Sequence, residues 1–140
     1  MNNSENYTQA MQQLTSNNEG QDNNEKTAKY TEADWALIRE KADRIHKRLV
    51  ANMDKGAAAP EVQDLIAELR QHITDDVCSC TPEILRQIAD LYVFDKRFTV
   101  KVDNYQAGFS AFLRDAIYIY CDNLERVQKE YPEEFTARIF

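Results

Sequence analysis

The stretch Thr31-Glu32-Ala33-Asp34-Trp35-Ala36-Leu37-Ile38-Arg39-Glu40-Lys41-Ala42-Asp43-Arg44-Ile45-His46-Lys47-Arg48-Leu49 decides the fold. Trp35, Ile38, Ala42, Ile45 and Leu49 recur at intervals of 3, 4, 3 and 4 residues, which gathers them on one face of an α-helix. Thr31 is placed to cap that helix, with Asp34 at the third helical position, where a capping box carries an acid. Gly56 is expected to close it. Further along, Pro60 suits the first turn of a second helix with the buried stripe Val62, Leu65, Ile66, Leu69 and Ile73. A connector is expected from Thr74 to Cys80. Thr81, Pro82 and Glu83 then repeat the cap, proline and acid order of a helix start, and Ile84, Ile88, Leu91 and Tyr92 follow on one face. Arg97 to Tyr105 reads as a short helix or turn. Gly108 opens a last long helix carrying Phe109, Phe112, Leu113, Ala116, Ile117, Tyr120, Leu124 and Val127, which Pro132 is expected to stop. No stretch of four or more residues alternates apolar and polar as a half-buried strand does, so the fold class is all-α: a compact single domain of about five helices.

The rest of the composition narrows the function. The chain has 140 residues, a net charge of −7 and a pI near 4.8. Nucleic-acid binding needs clustered Lys and Arg, so direct contact with it is not expected. No apolar run approaches the length of a membrane span, and the N-terminus has neither the basic nor the apolar region of a signal peptide, so the expected location is cytoplasmic, without membrane contact. Cys78, Cys80 and Cys121 are an odd set without disulfide-framework spacing, which fits reduced thiols. Residues 1–28 hold seven Asn and four Gln and no Val, Ile or Phe. They are expected to form a flexible Asn/Gln-rich arm, ahead of a helical domain at 29–140. Tyr7, Met11 and Leu14 could present one small apolar face, and that stretch is expected to order over a filled cleft.

Among chemistry-bearing residues, nothing forms an enzyme site. There is no glycine-rich phosphate loop, no GxSxG, no HExxH, and the histidines are His46 and His72 alone. His72, Cys78 and Cys80 are suitable ligand types for a soft metal, but they lack a paired CxxC or a fourth ligand, so no metal and no cofactor is expected. On its own, His72 reads as a partly buried histidine satisfied by a carboxylate such as Asp90 or Asp95. Cys80 lies just before a helix N-terminus, where the macrodipole favours a thiolate, while Asp75 and Asp76 close by in sequence would raise its pKa. Tyr92, Phe98 and Tyr105 flank the least regular segment and are expected to line a pocket, with Trp35 and Phe112 assigned to the core.

Four blocks carry a family resemblance: Tyr30 to Trp35 (YTEADW); Arg70-Gln71-His72-Ile73; Ala89 to Val93 (ADLYV) with Asp95 and Arg97-Phe98-Thr99; and Gly108 with Phe112 to Ile117 (FLRDAI). In order and spacing this run resembles the TipAS antibiotic-recognition domain, the ligand-binding domain at the C-terminal end of some MerR-family transcription regulators. The resemblance implies a globin-like helical arrangement with a cleft that accepts thiopeptides and other bulky antibiotics, a multidrug recognition role, and a place for His72 at that cleft. Cys80-Thr81 matches a cysteine followed by Ser or Thr in thiopeptide binders. On that match Asp76 and Cys80 join the candidate binding residues, and Cys80 becomes the candidate attachment point for a dehydroalanine. Residues 75–79 carry no aromatic ring, unlike those binders. The DNA-binding and coiled-coil segments of such regulators have no counterpart in these residues. The expectation is therefore a stand-alone recognition or sequestering module for a small-molecule or peptide antibiotic, with a regulatory protein as a candidate partner. The cleft is expected between the second and third helices and the Phe98 to Tyr105 segment. The alternative is a protein-interaction module whose cleft binds a peptide or helix of a regulatory partner.

Overall fold

The computed structural model describes residues 27–130, so the proposed arm up to residue 26, its Tyr7 to Leu14 stretch and the stop at Pro132 lie outside the described residues. From residue 32 onward the described residues form five successive α-helices: α1 (Glu32–Ala51), α2 (Pro60–Asp76), α3 (Pro82–Phe94), α4 (Lys96–Asp103) and α5 (Phe109–Glu130). A single 3-10 turn, Met53–Lys55, follows α1, and the described residues contain no strand.

Local chemistry explains where each helix begins. The Thr31 hydroxyl accepts the Asp34 amide at 3.2 Å and the Asp34 carboxylate accepts the Thr31 amide at 2.9 Å, a capping box that satisfies two otherwise orphaned N–H groups. Thr81 caps α3 by accepting the Ile84 amide at 3.2 Å. Asp95 ends α3 and caps α4, its carboxylate taking the Arg97 amide at 3.1 Å. Gly56 and Gly108 hold φ of 98° and 82°, a region costly for residues with a Cβ, at the two corners that precede α2 and α5.

Helix α1 ends at Ala51, short of the expected Gly56, which instead closes the 3-10 turn. Helix α2 runs to Asp76, because the Val77 amide still reaches the Ile73 carbonyl at 2.9 Å, so the connector starts later than Thr74. The stretch expected as a short helix or turn is a short helix, the two-turn α4.

Helices α3 and α5 run antiparallel at the centre. Arg86 bridges Asp122 (2.7 Å) and Glu125 of α5, and Asp90 accepts from Arg114 (3.0 Å) and Tyr118 (2.8 Å). Between them lie Leu85, Ile88 and Ala89 of α3 and Phe109, Leu113, Ala116 and Ile117 of α5, all at most 1% exposed. Each large side chain so buried contributes about 1.5–3 kcal/mol of hydrophobic free energy. Helices α1 and α2 form a second antiparallel pair, joined to the rest by α2 against α5. Gln63 fastens that junction, donating to the Ala57 and Ala116 carbonyls at 2.8 and 3.1 Å.

Candidate functional site

The seam between α1 and α2 is apolar only at its base. Lys41, Arg44 and Arg48 leave α1 one turn apart, and Glu68, Gln71, Asp75 and Asp76 face them from α2. Between these walls opens a groove of about 480 Å³, with Ile45 and His72 also in its lining. Lys41 pairs with Asp76 at 3.2 Å and Arg48 with Glu68 at 3.0 Å, so ion pairs cross the groove at both ends.

His72 and Asp76 are the two expected site residues that meet here. The His72 Nδ1 stands 3.0 Å from the Asp76 carboxylate. With that carboxylate as acceptor, Nδ1 carries the proton and Nε2 is left as an acceptor. Nε2 is buried, and burial holds the His72 pKa below its usual value although the Asp76 carboxylate and the Ile38 backbone act to raise it. The Tyr30 hydroxyl donates to the Asp76 carbonyl at 2.6 Å, and its ring packs edge-on against Trp35 at 5.5 Å. The first turn of α1 is thereby tied to the end of α2. The expected partners of His72, Asp90 and Asp95, are engaged elsewhere, by Arg114 and Tyr118 and by Arg97 respectively.

The other four expected residues do not reach this groove. Tyr92 is buried beside His46, their rings 6.4 Å apart, and Tyr105 stacks edge-on to His46 at 5.6 Å while donating to the Asp43 carboxylate at 2.5 Å. That cluster lies on the opposite flank of α1. Burial raises the pKa of both tyrosines, and burial also pushes His46 down to about 4, so the imidazole is neutral. His46 Nε2 has no hydrogen-bond partner. Phe98 is a core residue. Aromatic rings near irregular backbone resemble pocket lining in sequence, but here the short corner around Asp95 folds α4 back so that Phe98 points inward.

Cys80 corrects an expectation. The residue is 3% exposed, and burial, reinforced by Cys78 and opposed by Arg70, pushes the thiol pKa up to about 12. The helix-dipole advantage is overridden because the chain before Thr81 turns its Val77, Cys78 and Cys80 side chains into the core. Arg70 donates to the Cys80 carbonyl at 2.8 Å. All three cysteines are buried and outside any disulfide. The groove that His72 and Asp76 line lies between the first and second helices, whereas the cleft was expected between the second and third.

Lys41, Arg44, Arg48, Glu68 and Gln71 were not anticipated as lining residues. A signal was available: Lys41 and Arg48, and Glu61, Glu68 and Asp75, recur every seven residues, the spacing that keeps charges in register along a helix seam. Among the described residues, no group of three or more His, Cys, Asp or Glu side chains could hold a metal, and no helix is long and apolar enough to cross a membrane.

The sequence matches the TipAS antibiotic-recognition domain family over residues 5–120. It is 34% identical over 119 residues to the HTH-type transcriptional activator mta of Bacillus subtilis, covering 85% of this chain and 46% of that protein. It is 39% identical over 95 residues to the HTH-type transcriptional activator TipA of Streptomyces coelicolor, covering 66% of this chain and 38% of that protein. The chain thus spans less than half the length of these relatives. Among solved structures it is similar to TipAS from Streptomyces lividans, determined in complex with the thiopeptide antibiotic nosiheptide, with a TM-score of 0.68 and 31% identity over 85% of each chain. The helix order, the all-α architecture with its globin-like arrangement and the match over most of the chain agree, and this chain belongs to the TipAS antibiotic-recognition domain family.

Proposed function

We propose that this chain binds bulky, largely apolar antibiotics of the thiopeptide kind and acts as a recognition or sequestering module of a TipA-like regulator. The observation that carries the reading is the α1–α2 groove, about 480 Å³, in a chain that shares its fold and family with a protein solved with nosiheptide bound. Binding rather than catalysis is favoured by the relatives, which are transcriptional activators, and by the burial of all three cysteine thiols. The Cys80 thiol is buried and protonated, so capture by this conformation is non-covalent. Ile45 at the base supplies apolar contact. The walls offer donors and acceptors to an amide-rich macrocycle. A role in transcription would require that occupancy of the groove be passed to a regulatory protein, and the acidic balance of the chain argues against direct contact with nucleic acid.

Thermal unfolding with and without nosiheptide tests this. A ligand that binds only the folded state at 100 times its Kd adds about 2.7 kcal/mol of stability, so the midpoint should rise with concentration. Intact-mass analysis of the same mixture should show unmodified protein after denaturation. No midpoint shift with nosiheptide or with other thiopeptides would overturn the binding reading, and a stable adduct would return Cys80 to an attachment role.

A further inference from the structure

Three ion pairs cross the α1–α2 seam like rungs. Lys41–Asp76 stands at 3.2 Å, Arg48–Glu68 at 3.0 Å and Lys55–Glu61 at 3.2 Å. On the α1 side the cations are seven residues apart, and on the α2 side the anions are eight and then seven apart, as antiparallel packing requires. Every rung has its cation on the α1 side and its anion on α2. The rungs delimit two hollows. The first, between the Lys41 and Arg48 rungs, is the groove of about 480 Å³, and the second, from the Arg48 rung to Glu61, is about 350 Å³ with Ala51, Asn52, Asp64 and Leu65 in its lining. Arg48 and Glu68 line both. On the α2 side Glu61 to Asp76 lie in one continuous helix, which at about 1.5 Å per residue makes the two hollows together run about 20 Å along the seam.

We infer that the two hollows form one bipartite site for a single elongated, amide-rich ligand about 20 Å long, which enters by displacing the Arg48–Glu68 rung. This rests on the antibiotic-binding reading above. The central pair is suited to displacement because its side chains are 59% and 50% exposed, and exposed pairs gain little over solvated ions. Once parted, Arg48 offers a fork of N–H donors and Glu68 offers carboxylate acceptors, which match the carbonyl and N–H edges of a peptide-derived chain. Ile45 and Leu65, nearly buried, lie under the two hollows and supply apolar contact beneath each half of the ligand. A compact ligand would fit the first hollow and leave the rung closed. The polarity of the walls sets which edge of the ligand faces α1, since acceptors on one edge pair with the cationic wall.

The test is a ¹⁵N-edited titration of the full chain with nosiheptide, alongside the variant Ala51→Trp, which plugs the second hollow from an exposed position. Amide shifts are expected at Ala51, Asn52 and Leu65 as well as at Gln71 and His72, with the Arg48 side-chain N–H signal moving as it leaves Glu68. Ala51→Trp should keep the spectrum of a folded protein and weaken binding by about tenfold or more, which corresponds to about 1.4 kcal/mol. Shifts confined to Gln71 and His72, with the variant binding as well as the parent, would overturn the bipartite site and leave the antibiotic reading intact. No shifts in either hollow, together with no thermal stabilisation, would overturn that reading and this inference with it.

Discussion

His46 shows how much one side chain can set in this protein. It is 5% exposed and enclosed by the rings of Tyr92, Tyr105 and Phe109, with its Nε2 left without a partner. A buried polar atom without a hydrogen bond costs about 1–3 kcal/mol, and protonating the ring there would cost more. The sign of the pH effect follows. The folded-state pKa of about 4 lies below the ordinary 6.5 of the unfolded chain, so stability is fully present above pH 6.5 and is lost as the pH falls towards 4. The gap corresponds to about 3 kcal/mol at its full extent. His72, also depressed by burial, acts in the same direction. Urea unfolding of the parent and of His46→Phe between pH 7 and pH 4 should show the parent losing about 3 kcal/mol more than the variant, because the variant lacks the titrating group. Parallel pH profiles for the two proteins would show that His46 does not carry this dependence. The same lesson holds for Cys80, whose position before a helix start promises a reactive thiolate until its burial is known.

At the scale of elements, the corner at Asp95 has the largest effect on the site. One residue closes α3 and opens α4, and the Thr99 hydroxyl reinforces the turn by donating to the Tyr92 carbonyl at 2.6 Å. Replacing Asp95 with Ala removes the side-chain acceptor for the Arg97 amide, a loss of about 1 kcal/mol by analogy with other N-caps. The effect should be local. Hydrogen exchange of the variant should quicken at Arg97, Phe98 and Thr99 while the amides of α3 and α5 keep their protection, and uniform acceleration would mean that the cap supports the whole fold instead. The end of α2 has a different consequence. Asp76 follows His72 by four residues, which are neighbours on one helix face, so their pairing is a local property of α2. Placing the helix end at Thr74 hides that pairing and sends His72 in search of partners on α3.

At the scale of the whole molecule, stability resides where α3 and α5 meet. Leu113 is fully buried there, whereas Leu37 on α1 is 59% exposed. Leu113→Ala should cost about 2–5 kcal/mol in denaturant unfolding, and Leu37→Ala should stay within about 0.5 kcal/mol. Equal losses for the two would mean that the packing described here is not the one that holds the protein together. The helices themselves were legible in the sequence because their signals are local. The 3, 4, 3, 4 spacing from Trp35 to Leu49, the caps at Thr31 and Thr81 and the prolines at 60 and 82 act within a turn or two of chain. Of the candidate groove only His72 and Asp76 were legible. Which helices would leave a groove, that Tyr92 and Phe98 would face the core, and that Cys80 would be sealed from solvent depend on helices far apart in sequence pressing their faces together. Hydrophobic burial is non-directional, so an apolar or aromatic residue carries no mark of whether it will fill the core or line a cavity, and only the packed structure decides it.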